Sequence, residues 1–182
     1  GFKLVIDFAH GGASEVFSGI FGPLGCEVVT LNAYPDPADA FHAKDHDDVH
    51  IEQLATIVKS VSADLGFHLG RGAEKLVVVD REGKTIGDQQ LLLAVTALFL
   101  STFQAKKIAV PVAASMGVEE IANEYGVQVM RVRNDHLAMM QAFKSDDVDF
   151  VGGTRGGFIF DRFQLGADGM FATVKLLELL AK

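Results

Sequence analysis

Short apolar runs alternate with amphipathic stretches along this chain, and the alternation runs through twice. Residues 3–8 (Lys-Leu-Val-Ile-Asp-Phe) read as a buried strand ending in His-Gly-Gly-Ala-Ser. Ser14 opens a helix in which Val16, Phe17, Ile20, Phe21 and Leu24 recur at three and four, and Gly25 closes it. A strand covers 26–31, a long polar loop with Pro35 and Pro37 covers 32–50, and a helix over 51–62 lines up Ile51, Leu54, Ile57, Val58 and Val61. Strands at 64–69 and 75–80 follow, joined through a glycine-bearing loop. The order then restarts with helix 88–103, strand 107–112, helix 116–125, strand 127–132 and helix 135–144. Strand 148–151, a glycine-rich loop at 152–157, strand 157–160 and helix 168–181 complete it. Strands that alternate with helices need sheets covered by helices, so the fold class is α/β. Thr85-Ile86-Gly87-Asp88 separates the two series and predicts two tandem domains, 1–87 and 88–182. Asp135 and Asp168 stand where helix N-caps belong.

Composition narrows the partners. The 182 residues carry a formal net charge of -8, with a pI near 5.1. That leaves no electrostatic footprint for a polyanion, so neither nucleic acid nor an anionic membrane is expected. The longest apolar run, Leu91 to Phe103, is 13 residues, short of the roughly 20 that span a bilayer, and reads as a buried helix. One cysteine, Cys26, rules out an internal disulfide framework and reads as core. A reducing compartment, the cytoplasm, is the expected location. The chain starts at Gly1 without Met or a basic, apolar leader, and its mean hydropathy is +0.25. Both suggest a piece of a longer polypeptide with surfaces that face absent neighbours.

In sheets of this kind ligands gather at the carboxyl ends of the strands, and those loops carry a resemblance. Val-Ile-Asp-Phe-Ala-His-Gly-Gly-Ala (5–13) resembles the strand and Asn-Gly turn that open the second domain of α-D-phosphohexomutases, the phosphoglucomutase/phosphomannomutase enzymes. Pro35-Asp36 with Phe41 resembles that family's Pro-Asp-Gly-x-Phe loop. Ala63-Asp64-Leu65-Gly66 and Leu76-Val77-Val78-Val79-Asp80 resemble the lead-in and exit of its metal loop. Val151-Gly152-Gly153 with Gly156-Gly157-Phe158-Ile159 resembles its sugar-binding loop, and Asp168-Gly169 the start of the closing helix of its third domain. The resemblance covers essentially the whole chain. It implies two tandem three-layer α/β/α domains with mixed sheets, equivalent to the family's second and third. The serine-bearing first domain and the phosphate-gripping fourth have no counterpart here.

The resemblance also exposes what is missing. The family's metal loop reads Asp-x-Asp-x-Asp-Arg, because Mg²⁺ requires several oxygen ligands in tight octahedral array. Gly70, Gly72 and Glu74 fall at the three Asp positions and Lys75 at the Arg. With Arg71 and Lys75 against Glu74, the loop is net positive where the family's is negative. No Mg²⁺, and no other metal or cofactor, is expected. The sugar loop of the family reads Gly-Glu-x-Ser-Gly. Here Gly152-Gly153-Thr154-Arg155-Gly156-Gly157 is one residue shorter, lacks the carboxylate and gains a cation. Arg155 can fork onto a phosphate or carboxylate, or stand solvated on a glycine turn.

Six histidines remain. His42, His46 and His50 recur every four residues, beside Asp45, Asp47 and Asp48. On a helix they would share one face and suit Zn²⁺ or Ni²⁺; as part of the 32–50 loop they are a solvated polar stretch, the reading adopted. His10 ends the first strand, where it can face a ligand or simply turn the chain. His68, next to the altered metal loop, reads as structural. No serine sits in a nucleophile elbow and no dinucleotide fingerprint is present. The expectation is a catalytically reduced phosphohexomutase segment that binds a sugar phosphate weakly and packs against other domains of its parent chain. The alternative is a non-catalytic scaffold or regulatory module attached to a sugar-phosphate nucleotidyltransferase.

Overall fold

The computed structural model describes residues 1–36, 47–145, 147–160 and 164–182. They form two compact units, Gly1–Ile86 and Gly87–Lys182. Each is an α/β domain built on a mixed four-stranded sheet.

In the first unit β1 (Lys3–Asp7) lies between β2 (Glu27–Leu31) and β3 (Leu65–His68), parallel to both, and β4 (Val77–Asp80) closes the sheet antiparallel to β3. The order β2-β1-β3-β4 places the reversal of winding between β1 and β3, the point at which such sheets open a crevice. Alternation decides what each face sees. Val5 packs with Leu54 and Val58 of helix α2 (Asp47–Ser60), with Ala63 and Val79 completing that layer. Gly66 lies under the same helix: a Cβ there would come within 2.5 Å of Val58 Cγ2, so the close helix–sheet approach excludes any side chain. On the other side Phe8 meets Phe17 edge-on, and Phe17 meets Phe21, at centroid separations of 6.4 and 4.7 Å.

Three local expectations change. The helix expected from Ser14 to Leu24 is only α1 (Ala13–Phe17), followed by a 3₁₀ turn at Ser18–Ile20. Gly19, Gly22 and Pro23 withhold the propensity and the N–H that a longer helix needs. Phe17 and Phe21 are buried, whereas Val16, Ile20 and Leu24 stand 71%, 40% and 48% exposed. Cys26 is half-buried ahead of β2 and is not core. The third change bears on the site. Helix α2 begins at Asp47, not 51, so His50 belongs to its first turn and not to a loop. Asp48, in that first turn, suits the positive end of the helix dipole.

The second unit repeats the scheme. β5 (Lys107–Pro111) runs parallel to β6 (Gln128–Val132) and β7 (Phe150–Gly152), with β8 (Phe158–Phe160) antiparallel to β7, in the order β6-β5-β7-β8. Helix α5 (His136–Ser145) covers one face over Ala109, Val132, Val148, Val151 and Ile159. The opposite face is aromatic: Phe99 of α3 (Asp88–Thr102) stacks on Phe150 at 5.0 Å, and Phe160 meets Phe171 of α6 (Gly169–Leu180) at 5.9 Å. Helix α4 (Gly117–Glu124) links β5 to β6. Asp168 caps α6 by accepting from the Phe171 N–H at 2.9 Å, and Asp135 accepts from Ala138 N–H at 2.8 Å ahead of α5. Among the described residues no helix is long and apolar enough to cross a membrane.

Candidate functional site

The carboxyl edge of the first sheet is where apolar stripes give way to polar groups. On β1 the residue two beyond Val5 on the α2-facing side is Asp7; on β3 the residue two beyond Gly66 is His68; on α2 the residue one turn before Leu54 is His50. Sheet register sets Asp7 opposite His68. The three therefore meet at the β1/β3 reversal point, each by continuing a core-facing stripe past the end of the core.

Asp7 is fully buried. Its Oδ1 accepts from the Ala9 N–H at 2.9 Å and from Asn32 Nδ2 at 3.0 Å. Its Oδ2 lies 3.1 Å from His68 Nδ1 and 3.5 Å from His50 Nδ1. Burial alone would raise its pKa; the hydrogen bonds from His68, Ala9 and Asn32 outweigh that and hold the carboxyl below its ordinary value. His68 is buried, and the His50 side chain is 13% exposed. The His10 ring sits 5.9 Å from that of His50 and 5.2 Å from Tyr34, and its Nδ1 is 3.1 Å from the Tyr34 carbonyl. Ala9 and His10 both adopt left-handed backbone, at φ 47° and 54°, a conformation side-chain-bearing residues seldom take. Gly11 follows them, and a Cβ there would come within 2.5 Å of the Arg71 carbonyl oxygen. This strand end is held in a strained turn under the 70–75 loop.

The loop itself offers little to a hard cation. Space around Gly70 is open, and a Cβ on Gly72 would meet only the Glu74 side chain, at 3.5 Å. Neither glycine has a positive φ, so backbone geometry does not demand glycine at either position. Glu74 is the single carboxylate of residues 70–75. Residues 70–75 thus supply one carboxylate, where Mg²⁺ takes several oxygen ligands.

In the second unit the corresponding loop links β7 to β8. Gly153 N–H donates to the Gly157 carbonyl at 2.8 Å, and Gly156 turns the chain at φ 72°. Gly152 is pressed against Leu92, and a Cβ would collide with it. Thr154 is buried with its Oγ1 3.4 Å from Asn134 Oδ1. Arg155 is exposed at the tip, without an ion pair among the described residues. On β6, Arg131 is committed to structure: its guanidinium forks onto Glu119, at 2.7 Å from Nε, and donates to the carbonyls of Pro111 and Ala114. A cleft of about 600 Å³ lined by Lys106, Val127 and Asp149 opens at the amino ends of these strands, the edge away from the glycine loop.

The sequence-derived candidates thus divide. Gly70, Gly72, Glu74 and Lys75 lie in one loop and Gly152 to Gly157 in another, each in its own unit. His10 faces other site residues. His42 and His46, with Phe41, lie outside the described residues, and of that trio only His50 is placed. His68, expected to be structural, is buried against the Asp7 carboxylate. Sequence reasoning missed Asp7 and the pairing of His50 with His68. The signal was there in the spacing: each is a polar residue on the inward period of its own element.

Comparison with known proteins agrees with this architecture. Residues 1–83 match the description "Phosphoglucomutase/phosphomannomutase, alpha/beta/alpha domain II" and residues 86–182 that of domain III. A probable phosphoglucosamine mutase of Methanocella arvoryzae is 32% identical over 183 residues, covering 99% of this chain and 40% of the relative. A phosphoglucomutase/phosphomannomutase of Thermococcus kodakarensis is 30% identical over 98% of this chain and 39% of its own length. Among solved structures, a phosphoglucomutase/phosphomannomutase family protein of Burkholderia thailandensis superposes with a TM-score of 0.82 at 25% identity, over 99% of this chain and 40% of the other. The chain spans about 40% of the length of these relatives. With both units matched in order and in topology, this chain belongs to the phosphoglucomutase/phosphomannomutase family, of which it comprises domains II and III.

Proposed function

We propose that this chain is the central part of a sugar-phosphate-binding phosphohexomutase relative whose metal loop no longer holds Mg²⁺, leaving the segment catalytically inactive. One observation carries the reading: residues 70–75 supply a single carboxylate, Glu74, among two cations. Phosphoryl transfer is largely positioning and charge stabilisation, and a net-positive loop without hard oxygen ligands gives a divalent ion no foothold. Residues 1–87 serve as the second domain and 88–182 as the third. Substrate contact falls to the 152–157 loop, where the exposed Arg155 presents its planar fork to a hexose phosphate. Further domains of the parent chain are the expected neighbours, and the free Cys26 suits a reducing cytoplasm.

Calorimetric titration of the 182-residue chain with MgCl₂ tests this. No saturable heat is expected at millimolar ion. A stoichiometric Mg²⁺ isotherm would overturn the reading.

A further inference from the structure

We propose that Asp7, His50 and His68 form a binding site for a borderline divalent transition metal, Zn²⁺ being the natural occupant. None of the three belongs to the 70–75 loop, and the proposal does not depend on how that loop treats Mg²⁺. The donor set is one carboxylate and two imidazoles, a combination that suits Zn²⁺ and its neighbours and that Mg²⁺ does not favour.

The geometry points to an ion and not only to a polar cluster. Two atoms bound to one tetrahedral Zn²⁺ at about 2.0–2.1 Å stand about 3.4 Å apart. Asp7 Oδ2 lies 3.1 Å from His68 Nδ1 and 3.5 Å from His50 Nδ1. All three donor atoms fall within 4.8 Å of one another. The carboxylate is also oriented as metal-binding carboxylates are. Its Oδ1 is occupied by the Ala9 N–H and Asn32 Nδ2, which leaves Oδ2 alone to face the imidazoles. Two imidazole nitrogens converge on this one buried carboxylate oxygen, at 3.1 and 3.5 Å, and a cation seated among them would be ligated by all three side chains. The elements are rigid: Asp7 ends β1, His68 ends β3, and His50 lies in a helix whose next inward residue, Leu54, is fully buried. His50 is the partly exposed member, giving an entry path on its side, and three protein ligands leave a fourth position for water or another small ligand.

The test is Co²⁺ titration of the full chain in excess MgCl₂, read by visible absorption. One equivalent should produce the intense d–d bands of low-coordinate Co²⁺, and one equivalent of Zn²⁺ should bleach them. His50→Ala and His68→Ala should each weaken binding roughly 100-fold, and Asn32→Ala, which only orients the carboxylate, roughly 10-fold. Far-UV circular dichroism checks that each variant is folded. His50→Ala, a change to the best helix former at a helix's first turn, keeps the test decisive if His68→Ala does not fold. The H42A/H46A double variant should keep the bands. Absence of bands at millimolar Co²⁺ overturns the proposal, as does binding that survives His50→Ala and disappears in H42A/H46A.

Discussion

Asp7 is the residue on which the first unit's polar edge depends. A buried carboxylate that accepts from a backbone N–H, an asparagine and a histidine is stabilised in its ionised form, and its folded pKa lies below the unfolded value of about 3.9. The sign of the linkage follows: the contribution is fully present above that value and is lost as pH falls through the folded pKa. Asp7→Asn keeps the shape but sets an amide against donors. In chelator it should lower stability at pH 7 by about 1–3 kcal/mol in urea denaturation. The gap should hold down to about pH 4 and shrink only below it. A variant as stable as its parent at neutral pH would show that the cluster is not a stabilising network. Asp7 also shows where reading a sequence stops. Inside Lys-Leu-Val-Ile-Asp-Phe it looks like the polar end of a strand, and its partners lie 43 and 61 positions away. Register and helix phase bring them together, and neither is written at any one residue.

At the scale of elements the reading was fuller. Strand positions, the α/β class and the caps at Asp135 and Asp168 followed from apolar period and cap chemistry, which are local. The failures were at boundaries set by competing local terms: two glycines and a proline cut short the helix after Ser14, and α2 starts at Asp47, ahead of Ile51. That earlier start moved His50 from a loop to the site. Helix α2 owes its place to the stripe His50, Leu54, Val58, of which the last two are fully buried against Val5 and Gly66. Leu54→Ala should therefore cost about 2–5 kcal/mol, while Gln53→Ala on the exposed side should stay within about 0.5 kcal/mol. Chemical denaturation of the two variants followed by circular dichroism compares them; equal losses would mean that α2 is not held by this face.

Across the whole molecule, the two units share one plan: each has a central strand parallel to both neighbours, an antiparallel fourth strand, and a glycine-bearing loop leaving the third. We propose that the family plan is kept in the scaffold and altered in those loops: residues 70–75 hold Gly70, Gly72 and one carboxylate, Glu74, and residues 152–157 hold the cation Arg155 and no carboxylate. At Gly70 the space is open and at Gly72 a Cβ would make only ordinary contact with Glu74, so aspartates fit at both positions. The most direct measurement is Mg²⁺ calorimetry on the chain carrying Gly70→Asp, Gly72→Asp and Glu74→Asp together. The account predicts a one-site isotherm for this variant and none for the parent. A triple variant that folds and still takes up no Mg²⁺ would contradict it, placing the loss of the ion somewhere other than these three side chains.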